Sequence, residues 1–171
     1  MTVTAKILTV PSAIIMRQPN ARDGLALNSL VRDCPPLDEN SVYCNLLQCA
    51  HFNETSVVAD SPNGLLGCIT GYLVPARPDT LFVWQVAIAE RARGQGLATR
   101  MLRQILDRPI CERVVCLETT VTEANKASTA LFQGLAAKLQ TKMTSETIFD
   151  QTEHFGGKHD SELLLRIGPI N

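Results

Sequence analysis

Long apolar runs are missing from this 171-residue chain. No stretch approaches the roughly 18 consecutive apolar residues of a membrane span, and the N-terminus lacks the compact hydrophobic segment and small-residue cleavage site of a signal peptide. A cytoplasmic location is the expectation. Excess charge of one sign is missing too: 16 Lys and Arg stand against 17 Asp and Glu, for a formal net charge of -1. That balance gives no reason to expect a nucleic-acid groove or a polybasic membrane patch. The six cysteines form no C-x-x-C pair and sit in apolar segments, so buried free thiols are expected rather than zinc ligands or disulfides. His51, His154 and His159 are spaced unlike a metal site, and no metal is expected. With 45% hydrophobic and 19% charged residues, the chain reads as one globular domain over residues 13–170, preceded by a partly ordered leader over 1–12.

What is present centres on Leu81 to Leu106: an apolar strand, a basic loop holding Gly94 and Gly96, and an amphipathic helix starting near Leu97. Glycines there let the backbone between Arg93 and Ala98 curl around an anion, and the helix N-terminus adds its dipole and unpaired amides. This is a pyrophosphate cradle, with Arg91, Arg93, Arg100 and Arg103 close in sequence. A P-loop would need a Gly-Lys-Ser/Thr ending and a dinucleotide fold a G-x-G-x-x-G turn; the loop has neither.

Along the chain, Ala13 to Arg17 reads as a short strand. Asn20 caps a helix with Asp23 at its third position and Leu27, Leu30, Val31 and Cys34 on one face. Pro35-Pro36 stops it. Ser41 caps a second helix whose Tyr43, Leu46, Leu47 and Ala50 share a face. Thr55 to Ala59 and Leu65 to Val74 form a hairpin about Pro62-Asn63-Gly64, and Arg77-Pro78-Asp79 links it to the strand Leu81 to Ala89. After the cradle helix come a strand over Val114 to Thr120, a helix from Thr122 or Glu123 with Ala127, Ala130, Leu131 and Leu135 inward, a short strand near Thr147 to Phe149, and a last strand from Glu162 to Ile167. The order β-α-α-β-β-β-α-β-α-β-β predicts an α/β (α+β) architecture: a mixed, mostly antiparallel sheet of about six to seven strands flanked by about four helices.

The run Arg93-Gly94-Gln95-Gly96-Leu97-Ala98 resembles the R/Q-x-x-G-x-G/A signature of the GNAT N-acetyltransferases. The element order and the segment Asn125 to Phe132, NKASTALF, resemble that family as well. Within it, the blocks Asp33 to Tyr43, Cys49 to Phe52, Arg77 to Val86, Leu117 to Thr122 and Arg166 to Pro169 resemble the L-2,4-diaminobutyrate acetyltransferases of ectoine biosynthesis. The resemblance implies acetyl-CoA as donor and the γ-amine of 2,4-diaminobutyrate as acceptor, in a homodimer. It implies cofactor contacts at Gln85, Val86, Ala87, Ile88, Arg93, Gly94, Gln95, Gly96, Leu97, Ala98 and Asn125, with backbone amides near Gln85 to Ile88 holding the thioester carbonyl. It also implies substrate contacts at Asp38, Tyr43 and Trp84. Glu162, at the start of the last strand, is a further candidate as a second partner for an ammonium.

Each of these residues has a plainer reading. Asp38 can be a solvated residue before a helix cap, Trp84 a core or interface aromatic, Glu118 a structural carboxylate and Asn125 a helix-start residue. An amine attacks a thioester only when neutral, and with a reference pKa of ~10 its deprotonation at neutral pH costs roughly 4 kcal/mol. Glu118, expected at the C-terminal end of its strand, is the candidate general base. Where many family members place a tyrosine to protonate the departing thiolate, this chain has Phe132, which leaves Tyr43 or water. Another small-amine acetyltransferase, and a non-catalytic acetyl-CoA-binding module, are the alternative functions.

Overall fold

The computed structural model describes residues 14–170; the leader and the expected strand start at Ala13 lie outside the described residues. Seven strands form one sheet in the order β1-β2-β3-β4-β5-β7-β6. They are β1 (Ile15–Arg17), β2 (Val57–Asp60), β3 (Gly67–Val74), β4 (Arg77–Ile88), β5 (Cys116–Thr122), β6 (Lys142–Phe149) and β7 (Glu162–Gly168). Among the described residues only β4 and β5 pair in parallel; the other ladders are antiparallel. Four α-helices pack with the sheet among the described residues: α1 (Gly24–Arg32), α2 (Val42–His51), α3 (Leu97–Leu106) and α4 (Lys126–Lys138). No helix is long and apolar enough to cross a membrane among the described residues.

The helix starts follow their caps. Asn20 Oδ1 accepts from Arg22 N and Asp23 Oδ2 from Asn20 N, closing a capping box on a 3-10 turn that runs into α1. Arg17 then grips Asp23 through both guanidinium nitrogens at 2.8 Å and Asp60 at 2.9 Å, tying β1, this turn and β2 together. Ser41 Oγ accepts from Cys44 N at the start of α2. Two cores fill the two sheet faces. Leu97, Met101, Leu102 and Ile105 of α3 pack with Phe132 and Leu135 of α4 on one, and Leu27, Leu30 and Val31 of α1 pack with Cys49, Val58 and Ala87 on the other. All six cysteines are free thiols, five of them buried.

Four expectations shift. Arg77-Pro78-Asp79 belongs to β4 rather than to a linker, because the β3–β4 turn sits at Pro75-Ala76, with Val74 opposite Arg77. α4 starts at Lys126, since Thr122 is still paired in β5 and Asn125 Oδ1 accepts from Ser128 N as the cap. Its buried face is Phe132, Leu135 and Ala136, while Ala127 and Ala130 are exposed. The short strand expected near Thr147 to Phe149 lengthens into the eight-residue β6 because it pairs along β7. The fourth is the orientation of α2: it buries Asn45, Gln48 and Cys49, and leaves Tyr43 69% and Leu47 37% exposed. An amphipathic pattern places a helix but not the direction its apolar face takes when polar side chains find partners inside.

Candidate active site

β4 and β5 part where the cradle begins. They are in register only from Thr80/Cys116 to Val83/Thr119, whereas β4 stays paired with β3 through Ile88. Thr119 Oγ1 donates to Val83 O at 2.9 Å and closes the ladder. Beyond it the β5-facing backbone groups of residues 84–88 have no strand partner, and a register shift between Thr70 and Gly71 opposite Trp84 turns β4 away. The opening holds a cavity of about 360 Å³ lined by Val86 and Ile88 on β4, Arg93, Gly94, Gly96, Leu97 and Ala98 at the cradle, Asn125, Ser128 and Leu131 on α4, and Cys34 to Leu37 opposite.

Gly94 and Gly96 take φ of 72° and 68°, a conformation that disfavours any residue with a Cβ. Gly96 is also the N-cap of α3, and no side chain bonds to the first amides of that helix. Those amides and the helix dipole are therefore available to an anion, which fits the pyrophosphate expected there. Arg93 lines the cavity and donates from Nε to Ile88 O at 3.0 Å, and Arg100 Nη1 reaches Gln95 O. Arg103 belongs elsewhere, in a depression with Leu106, Asp107 and Leu139. Ala87 faces the α1 core, Gln95 bonds to Arg91 O, and Gln85 accepts from Asn40, so none of these three side chains lines the cavity.

Next to this cavity lies an acidic cleft lined by Asp38, Thr120, Phe149, His154, Phe155, His159 and Glu162. Leu37 lines one and Asp38 the other, so the two meet at the connector between α1 and α2. His159 Nε2 lies 3.1 Å from Asp38 Oδ2, and one ligand atom from each of Asp38, His159 and Glu162 falls within 4.8 Å of the others. Such a group suits a cation, and an ammonium is one. Burial raises the Glu162 carboxyl above the usual carboxylate range, partly offset by a hydrogen bond from Thr120 and by His159. His159 is raised above its ordinary value by the Asp160 carbonyl and then by Asp38. The loop that presents His159 is set by Asp150, whose Oδ1 accepts from Thr152 N and Glu153 N, and by positive φ at Gly156 and Gly157.

Among the residues expected to act on the acceptor, Asp38 and Glu162 come together. Tyr43 does not join them: on the exposed face of α2, it lines neither cavity. Trp84 is 44% exposed at the β4 bend, its ring centroid 6.1 Å from that of Tyr72. Phe132 is sealed in the core. His159 and Thr120 were not anticipated, and nothing in their local sequence marks them.

The expectation for Glu118 is corrected. It is the third residue of β5 rather than its last, lines neither cavity, and pairs with Arg77 at 2.7 and 2.9 Å and with Arg166. The Arg77 guanidinium, helped by Arg166, holds its carboxyl below the usual range despite burial. A carboxylate so stabilised is a weaker base. Its effect is on stability instead: with a depressed folded pKa, the contribution is present above the unfolded value and lost as pH falls through the folded one. Glu118→Ala should cost about 1–2 kcal/mol at neutral pH, less than a fully buried pair because both arginines are near half exposed and rehydrate. Chemical denaturation at pH 7 and pH 3.5 checks this, and the gap between variant and parent should narrow at the lower pH.

Comparison with known proteins bears on this geometry. Residues 25–136 match the Acetyltransferase (GNAT) family. The chain is 54% identical over 157 residues to the L-2,4-diaminobutyric acid acetyltransferase of Methylotuvimicrobium alcaliphilum, covering 92% of this chain and 91% of that one. It is 48% identical to the enzyme of the same name from Vibrio parahaemolyticus, covering 90% and 84%. Among solved structures, the diaminobutyrate acetyltransferase of Paenibacillus lautus, in complex with its substrate L-2,4-diaminobutyric acid and coenzyme A, superposes with a TM-score of 0.87. That pair shares 38% identity, over 92% of this chain and 96% of that one.

Proposed function

Because the chain belongs to the GNAT acetyltransferase family, we propose that it transfers the acetyl group of acetyl-CoA to the γ-amine (N4) of L-2,4-diaminobutyrate. The observation that carries the reading is the junction at Leu37 and Asp38 between an anion cradle and an acidic cleft that presents Asp38 and Glu162 to an ammonium group. Its product, N4-acetyl-diaminobutyrate, feeds ectoine synthesis and the response to osmotic stress. A cytoplasmic setting agrees with six free thiols.

The residues divide the work. Amides at Gly94 to Ala98 and the α3 dipole bind pyrophosphate, and the strand-free backbone of residues 84–88 offers N–H groups to the thioester oxygen as charge builds on it. Asp38 and Glu162 hold the ammonium groups, and Glu162, rather than Glu118, takes the proton from the attacking nitrogen. The thiolate departs without a side-chain acid, as its modest basicity permits. The exposed face of α2 and the Trp84 bend, with Tyr43 and Leu47, form the contact of a homodimer. Leu47→Asp with Trp84→Asp should yield a monomer by light scattering; an unchanged mass would remove that face from the interface.

The test of the function is release of CoA from acetyl-CoA across a panel of diamines and amino acids, with mass spectrometry locating the acetyl group. Turnover confined to diaminobutyrate at N4 is expected. Comparable rates on ornithine, lysine or polyamines would discard the acceptor assignment, and cofactor binding without turnover would discard catalysis.

A further inference from the structure

A hydrogen-bonded chain of side chains, two of them fully buried, lines neither cavity and ends on Gln85 of β4, one residue before Val86 of the cofactor cavity. Asn28 Nδ2 donates to Asn45 Oδ1 at 2.9 Å, and Asn45 Nδ2 to Gln48 Oε1 at 3.2 Å. Gln48 Nε2 donates to Cys44 Sγ at 3.6 Å, Cys44 Sγ to Asn40 Oδ1 at 3.8 Å, and Asn40 Nδ2 to Gln85 Oε1 at 3.1 Å. Asn45 and Gln48 are 0% and 1% exposed, so these are the partners that let α2 turn its polar side inward. Burial raises the Cys44 thiol pKa, which keeps it protonated and able to donate.

Such a chain has a direction. An amide offers an oxygen that accepts and a nitrogen that donates, so reversing one member would face donor with donor or acceptor with acceptor. All members here donate toward β4, and the last bond occupies the oxygen of Gln85. Its nitrogen is the free end. Gln85 is only 7% exposed, and its Nε2 has no partner among the described residues. The side-chain polar atoms both sealed and unpartnered among those residues are Thr70 Oγ1 and Gln104 Oε1, so Gln85 Nε2 faces accessible space.

Its position is informative. Gln85 precedes Val86 of the cofactor cavity, beyond the last β4–β5 pair. Its partner Asn40 lies two residues from Asp38 of the acidic cleft, and the Asn40 carbonyl accepts from Asn28 Nδ2 at 2.7 Å, fixing the connector itself. The cleft offers carboxylates to ammonium groups, while its Thr120 and His159 are already engaged with Glu162, Asp38 and Asp160. An amino-acid acceptor also brings a carboxylate, which needs a donor.

We propose that Gln85 Nε2 is the donor to the α-carboxylate of the amino-acid acceptor, and that Asn40 is the positioning residue that turns the amide nitrogen outward. This rests on the acceptor assigned above. In Gln85→Glu, the new carboxylate still accepts from Asn40 but opposes the substrate carboxylate. In Asn40→Asp, an acceptor-only side chain beside Gln85 draws the amide nitrogen inward, so the same defect appears with Gln85 itself unchanged.

The test compares kcat/KM for diaminobutyrate with kcat/KM for 1,3-diaminopropane, which is diaminobutyrate without its carboxylate. Both variants should lower the preference for diaminobutyrate about 10- to 100-fold, chiefly through KM, with KM for acetyl-CoA held. An unchanged preference, or an equal loss on both amines accompanied by a lower melting temperature, would overturn the proposal in favour of a structural role. A wild-type protein that acetylates 1,3-diaminopropane but not diaminobutyrate would instead overturn the acceptor assignment, and that measurement precedes the variants.

Discussion

Glu162→Gln is expected to lower kcat/KM for diaminobutyrate by about 100- to 1,000-fold while acetyl-CoA binds as before, since a positioned base typically contributes about 10²–10⁴. The substitution keeps the shape of the side chain and removes its charge. Burial disfavours the ionised form of Glu162, which raises its basicity, and the Thr120 bond and His159 partly oppose that rise. Glu118 is in the opposite state, its lone pairs occupied by Arg77 and Arg166. Near-normal turnover by Glu162→Gln, or a loss in Glu118→Gln larger than its stability change explains, would reverse the two assignments.

The same cleft predicts a pH dependence. His159 titrates above its ordinary value because the protonated ring is held by the Asp160 carbonyl and Asp38. Below that pKa the imidazolium occupies Asp38 and repels the substrate ammonium. Above it, the neutral ring no longer competes for Asp38, and the acceptor approaches the cleft without that repulsion. KM for diaminobutyrate should therefore fall as pH rises through the raised His159 value, and His159→Asn should flatten that limb of the profile.

Phe132→Ala is expected to cost about 3–5 kcal/mol. The ring is 1% exposed among the residues of α3, α4, β5 and β7 that form the larger core, so its removal leaves a cavity that a rigid sheet and two helices close poorly. For a chain of this length the melting temperature should drop by about 6–20 °C. Phe132→Leu should lose much less. A shift below about 2 °C in Phe132→Ala would mean that the ring is not packed as described. This position illustrates a division within α4: Leu131 and Ser128 line the cofactor cavity, while Phe132 and Leu135 hold the helix to the sheet.

Local signals in the amino-acid order were sufficient for the cradle. The apolar run of β4, the glycines at 94 and 96, and the 3.6-residue spacing of Leu97, Met101, Leu102 and Ile105 act within a few residues of one another, and each has a short-range physical meaning. The caps at Asn20 and Ser41 are local in the same way, and the order of strands and helices followed from such segments. The acceptor cleft was only half legible. Asp38 was a candidate through resemblance and Glu162 through its place at the start of the last strand, but His159 reaches Asp38 across 121 positions, and only the pairing of β7 with β5 brings Thr120 and Glu162 together. Tertiary structure also decided which face of α2 turns inward and what Glu118 does. Both depend on whether a buried polar group finds partners, and those partners, Asn28 for Asn45 and Arg77 and Arg166 for Glu118, come from elements that become neighbours only when the chain folds.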